Sequence, residues 1–88
     1  MKQDIKKKTL HRLKIIEGQI RGLQRMTEEE QYCVDIITQS LAIKKALTGV
    51  EQLVMENHLG THVVDQMKSG KKEKAVKEIL SIFKLSQP

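Results

Sequence analysis

Three side chains in this sequence, Cys33, His58 and His62, are of the types that together hold a metal ion. His58 and His62 are four residues apart, so on a helix both imidazoles leave the same face. One thiolate and two imidazoles suit a soft or borderline transition metal. Two histidines at this spacing are common on surface helices, and a free cysteine is commonly a small buried hydrophobe. The distance to the third ligand makes the set informative. If residues 33 to 58 form one helix, its rise separates the ends by about 37 Å. Ligands of a single metal lie within about 4 Å of one another. Cys33 therefore cannot share an ion with the histidines of its own chain unless that helix breaks, but it can share one with a second chain. An antiparallel pair of such helices, crossing near Ala46 and Leu47, sets each Cys33 beside the other chain's histidine pair. Two-fold symmetry then makes two equivalent sites per dimer.

The elements that must carry these ligands are helices. From Asp4 to Met26, Leu13, Ile16, Ile20 and Leu23 recur at steps of three and four and mark one apolar face. Lys7, Lys14, Arg21 and Arg25 fall on a different face. Gly18 and Gly22 offer a point of close approach to another helix. Thr27 reads as an N-cap with Glu30 three residues on, a capping box that would open a second helix from Glu28 to about Asn57. Its seam is Ile36, Ile43, Leu47, Val50 and Val54. Val34, Ile37, Leu41 and Leu53 add apolar surface, so this helix needs partners on more than one side. Residues 58 to 67 can extend it, although Gly60 and Thr61 are poor helix formers. Ser69-Gly70 signals a turn. A third helix follows from Lys72 to Leu85, with Ala75, Val76, Ile79, Leu80 and Phe83 as its apolar face, and Pro88 lies beyond it. The expected fold class is all-α, with three helices per chain and a long central one, in a single domain spanning 1–88.

A chain of 88 residues with one Cys, one Phe, one Tyr and no Trp has little with which to stabilise a core alone. Association of chains is the expected remedy. The net charge of +5 is concentrated: residues 1–25 carry eight Lys or Arg against Asp4 and Glu17. Lys68, Lys71, Lys72, Lys74 and Lys77 form a second basic cluster around Glu73. Such clusters suit a polyanion, nucleic acid above all, and a solvated face is the plainer alternative. The lone cysteine and the lack of an N-terminal apolar segment point to a cytoplasmic protein. No apolar stretch approaches a membrane span. An enzymatic reading, with Cys33 as nucleophile and a histidine base, finds no oxyanion-hole motif to support it, and no enzyme is expected.

Arg12-Leu13-Lys14 leading to Gly18-Gln19, then Tyr32-Cys33-Val34-Asp35, then Asn57-His58-Leu59 with a ligand type at position 62 form a specific combination. Over nearly its whole length the chain resembles the repressor family of the copper-sensing CsoR, nickel- and cobalt-sensing RcnR and formaldehyde-sensing FrmR types. The resemblance implies an antiparallel helical dimer, two dimers assembling into a homotetramer, and operator DNA as the partner. It also implies a metal site of Cys33, His58 and His62, supported by Tyr32 and Glu78, and DNA contact through Arg12 with Lys8, Lys14 and Arg21. The sequence departs from the type at three points. Copper sensors usually carry Cys where His62 stands. The nickel and cobalt type adds an N-terminal histidine, and residues 1–10 contain none. The proline that follows Met1 in the formaldehyde type is Lys2 here. Tyr32 and Glu78 favour Cu(I) as the regulatory ligand, with Ni(II), Co(II) and Zn(II) as alternatives. An aldehyde- or thiol-reactive sensor acting through Cys33 is a further one. The expected function is a metal-responsive repressor that binds its operator in the apo form.

Overall fold

The computed structural model describes residues 1–86 and is helical throughout, with no strand among them. Pro88 lies outside the described residues. The elements are α1 (Gln3–Glu28), α2 (Cys33–His58), a π-helical turn (Leu59–Val63), α3 (Val64–Lys68) and α4 (Lys72–Leu85). The chain divides into two compact units, Met1–Met55 and Glu56–Pro88.

In the first unit α1 packs on α2 through Ile16, Ile43 and Val50, flanked by Leu23 and Ala46. Ile43 and Val50 are seven apart, as the seam predicts. Ile16 is the one buried residue of the expected α1 face; Leu13 and Ile20 stay exposed. Burial of side chains of this size contributes about 1.5–3 kcal/mol each, so three of them make a thin core. A second apolar stripe on α2, Val34, Ile37 and Leu41, is more than half exposed in the single chain. That matches the expectation that this helix has more apolar surface than one neighbour can cover. A Cβ at Gly18 or Gly22 would meet nothing within 4 Å, so among the described residues no helix makes the close approach they permit.

The junction between α1 and α2 departs from the sequence reading. α1 runs on to Glu28, and α2 opens at Cys33 rather than Glu28. Thr27 is not an N-cap: its hydroxyl donates back to the Leu23 carbonyl at 2.9 Å, inside α1. The expected capping box is a helix end instead. Gln31 N–H donates to the Met26 carbonyl and Glu30 N–H to the Thr27 carbonyl, the paired bonds of a Schellman motif. That motif needs a left-handed residue, and Glu30 supplies it with φ 53°. Thr-x-x-Glu fits both a helix start and, with a left-handed Glu, a helix stop. The i→i−4 ladder of α1 continued through Thr27 and decided between them. Gln31 and Tyr32 then connect the helices, and the Tyr32 carbonyl accepts from Asp35 and Ile36 N–H.

In the second unit, helical backbone persists past His58. His58, Val63 and Val64 all keep right-handed helical dihedrals, so Gly60 and Thr61 do not end the element but widen one turn of it. The expected Ser69-Gly70 turn is a second Schellman motif. Lys71 N–H reaches the Gln66 carbonyl and Gly70 N–H the Met67 carbonyl, with Gly70 at φ 79°. This reversal brings α4 back, with Ala75 buried and Ile79 half-buried. Val76, Leu80 and Phe83, assigned to the same apolar face, are exposed in the single chain.

Candidate metal centre and basic surface

His58 closes α2 and His62 lies within the π turn. Their ring centroids are 5.4 Å apart and the planes are inclined by 32°. Nitrogens bound to one metal at about 2.0–2.1 Å lie no more than about 4 Å apart. Rings at this separation reach that limit by small side-chain rotations, so the pair fits a shared ion. α4 supplies the third group. Glu78 Oε2 is 3.6 Å from His58 Nε2, both side chains being partly covered. The distance exceeds a hydrogen bond, yet the carboxylate faces one ring nitrogen and leaves Nδ1 of His58 for another partner. Ligating histidines characteristically present their second nitrogen to such an acceptor.

The structure brings His58, His62 and Glu78 together, while Cys33 and Tyr32 stand at the opposite end of α2. Cys33 is a free, exposed cysteine, not the buried hydrophobe that was the alternative. Tyr32 is 71 % exposed. Among the described residues of one chain, no three His, Cys, Asp or Glu side chains are gathered closely enough to hold a metal.

Sequence reasoning missed the π turn and its hydrogen bond: Thr61 Oγ1 donates to the Asn57 carbonyl at 2.7 Å in a half-buried setting. Asn57 itself is buried. The signal available was the Gly60-Thr61 pair, two weak helix formers between the two histidines.

The four cations assigned to DNA contact do not form one stripe. At about 100° per residue, Lys14 and Arg21 nearly coincide on the outer face of α1 with Lys7 and Arg25. Lys8 and Arg12 lie on the flank nearer the buried Ile16. Arg12 reaches across to α2, its Nη1 donating to the Gly49 carbonyl at 3.4 Å. Arg21 pairs with Glu17 at 3.5 Å on an exposed face, a contact contributing at most a few tenths of a kcal/mol, about 0.3–0.5. Both cations remain accessible. No helix among the described residues is long and apolar enough to cross a membrane.

Residues 5–84 match the model of a family described as metal-sensitive transcriptional repressor. The chain is 46 % identical over 74 residues to the copper-sensing transcriptional repressor CsoR of Bacillus subtilis, covering 84 % of this chain and 73 % of that one. It is 31 % identical over 81 residues to CsoR of Mycobacterium tuberculosis, covering 92 % and 68 %. Among solved structures, the copper-sensing repressor CsoR with Cu(I) from Geobacillus thermodenitrificans superposes with a TM-score of 0.89 at 34 % identity, covering 97 % of this chain and 88 % of that one.

Proposed function

The chain belongs to the metal-sensitive transcriptional repressor family, and from that premise we propose that it is a copper-responsive repressor. Its apo form binds operator DNA and its Cu(I)-bound form binds that DNA weakly. The observation that carries the reading is the His58–His62 pair with Glu78 behind it. Copper sensing by relatives across 73 % and 68 % of their lengths supports it.

Cys33 of one chain and His58 and His62 of another would hold the ion. Cu(I) takes thiolate and imidazole together, and its low coordination number is met by one sulfur and two nitrogens. The helical rise between Cys33 and His58, about 37 Å, supports sharing between antiparallel chains, and the exposed Val34, Ile37 and Leu41 stripe supports a helical partner. Two such dimers form the homotetramer, with each chain, 1–88, acting as one DNA-binding and metal-sensing domain of a cytoplasmic regulator. Glu78 fixes the His58 ring, and Tyr32 sits beside the thiolate. α4, which carries Glu78, is the element whose placement responds to the state of the ring. Arg12, Lys8, Lys14 and Arg21 supply the DNA surface, through phosphate contact and shape readout more than base contact. Coupling between the two ligands is of order 1–3 kcal/mol and reciprocal, so DNA lowers metal affinity by the factor by which metal lowers DNA affinity.

A competition titration of apo protein with Cu(I), Ni(II), Co(II) and Zn(II), with operator binding followed in parallel, tests this. The reading requires that Cu(I) bind most tightly and release DNA at one equivalent per site. The exposure of Cys33 favours one second reading, a thiol-reactive sensor. Release of DNA by an aldehyde with a mass increase on Cys33 and no metal present would establish that instead.

A further inference from the structure

The two histidines lie across a change of helix type. α2 keeps α geometry to His58, the next five residues are π, and α geometry resumes at Val64. In an α-helix, residues four apart are offset by about 40° around the axis. A wider turn reduces that offset and sets the two rings more nearly one above the other. Regular α geometry competes with π turns, which are uncommon and frequent at functional sites. Something must therefore hold this one. Thr61 stands in its middle, and its hydroxyl donates to the carbonyl of Asn57, the residue before His58, at 2.7 Å.

Thr27, Thr38 and Thr48 make the same i→i−4 bond, but on exposed faces of regular α-helix, where the backbone ladder already fixes the carbonyl. Only the Thr61 bond is half-buried and falls where the ladder shifts from four-residue to five-residue steps. Back-bonding of this kind is known to bend helices rather than strengthen them, which is of use where a distorted turn is needed. Among the described residues, a Cβ at Gly60 beside it would meet no side chain or other element within 4 Å, and Gly weakens α geometry by about 1 kcal/mol relative to Ala.

We propose that Thr61 is a positioning residue for metal recognition: its hydroxyl, tied to the Asn57 carbonyl, holds the π turn that keeps the His58 and His62 imidazoles close enough to close on one ion by side-chain rotation. This rests on the reading of His58 and His62 as ligands.

The test compares Thr61→Val, which keeps shape and loses the hydroxyl, with Thr61→Ser, which keeps the hydroxyl. Thr61→Ala serves the same purpose as Thr61→Val if the latter folds poorly. Cu(I) affinity is measured by competition with a chromophoric chelator, and the apo proteins are compared by the Cα resonances of residues 57–63 and the ring resonances of the two histidines. We expect Thr61→Val to lose about tenfold in Cu(I) affinity, the lower end of what removing a ligand-supporting group costs. Its apo resonances should move toward regular α-helix, and Thr61→Ser should keep the parent's values in both measurements. Parental Cu(I) affinity in Thr61→Val, or equal loss in both variants, overturns the proposal. His58→Ala is run alongside: if it too binds Cu(I) like the parent, the ligand assignment itself fails. An unchanged Thr61→Val beside a weakened His58→Ala sinks only the role of Thr61.

Discussion

Glu78 Oε2 on α4 faces His58 Nε2 at the end of α2 across 3.6 Å. Within the second unit, the pair links α4 to the last residue of α2 through one candidate metal ligand. A carboxylate behind an imidazole fixes which ring nitrogen is left to bind and raises its basicity. On the proposed function, it would also tie the placement of α4 to the state of that ring.

Replacing Glu78 with Ala should therefore separate binding from response. Cu(I) affinity is expected to fall by no more than about one to two orders of magnitude, while the metal-loaded variant keeps most of its operator affinity. Fluorescence anisotropy of labelled operator, with and without saturating Cu(I), measures this. Complete loss of metal binding would make Glu78 a ligand, and parental DNA release would break the proposed link through α4.

Complementation between chains checks the shared site. Cys33→Ala chains mixed with chains carrying both His58→Ala and His62→Ala should regain one intact Cu(I) site per mixed dimer, although neither homodimer retains one. Metal stoichiometry on purified, doubly tagged dimers reads this out. Absence of recovery would rule out antiparallel sharing.

Arg12 makes one long, exposed hydrogen bond to the Gly49 carbonyl. Its removal should cost less than about 0.5 kcal/mol of stability, as for most surface substitutions. Arg12→Ala is nevertheless expected to weaken operator binding and to lower the slope of log K against log salt by about one, as one phosphate contact is lost. Cu(I) affinity of the free protein should stay unchanged. An unaltered salt slope would remove Arg12 from the DNA surface.

Glu30 holds a left-handed conformation at φ 53°, a geometry that costs an L-residue roughly 1–2 kcal/mol. Glycine avoids that cost but loses more chain entropy on folding. Glu30→Gly should stabilise the protein by about 0.5–1 kcal/mol, and thermal unfolding should shift upward by a few degrees, at most about 8 °C. A lowered melting temperature would mean that the Glu30 side chain does more than terminate α1.

The sequence by itself determined the helical class, the turn at Ser69-Gly70, the α2 seam through Ile43 and Val50, and the pairing of His58 with His62. All of these follow from local periodicity or from a backbone preference such as that of Gly70, which needs no tertiary contact. It also implied that Cys33 lies too far along one helix to join those histidines. Tertiary structure decided three matters that local signals left ambiguous. Thr27 and Glu30 fit a helix start as well as a helix stop, and the continued ladder of α1 made them a stop. Gly60 and Thr61 could have broken the long helix, yet α geometry resumes at Val64, so the weakness became one wide turn. Glu78, an acid among lysines in sequence, faces His58 only because the Gly70 reversal folds α4 back. The separation between Glu78 and His58 is set by the packing of two helices, and no pattern within either helix encodes it.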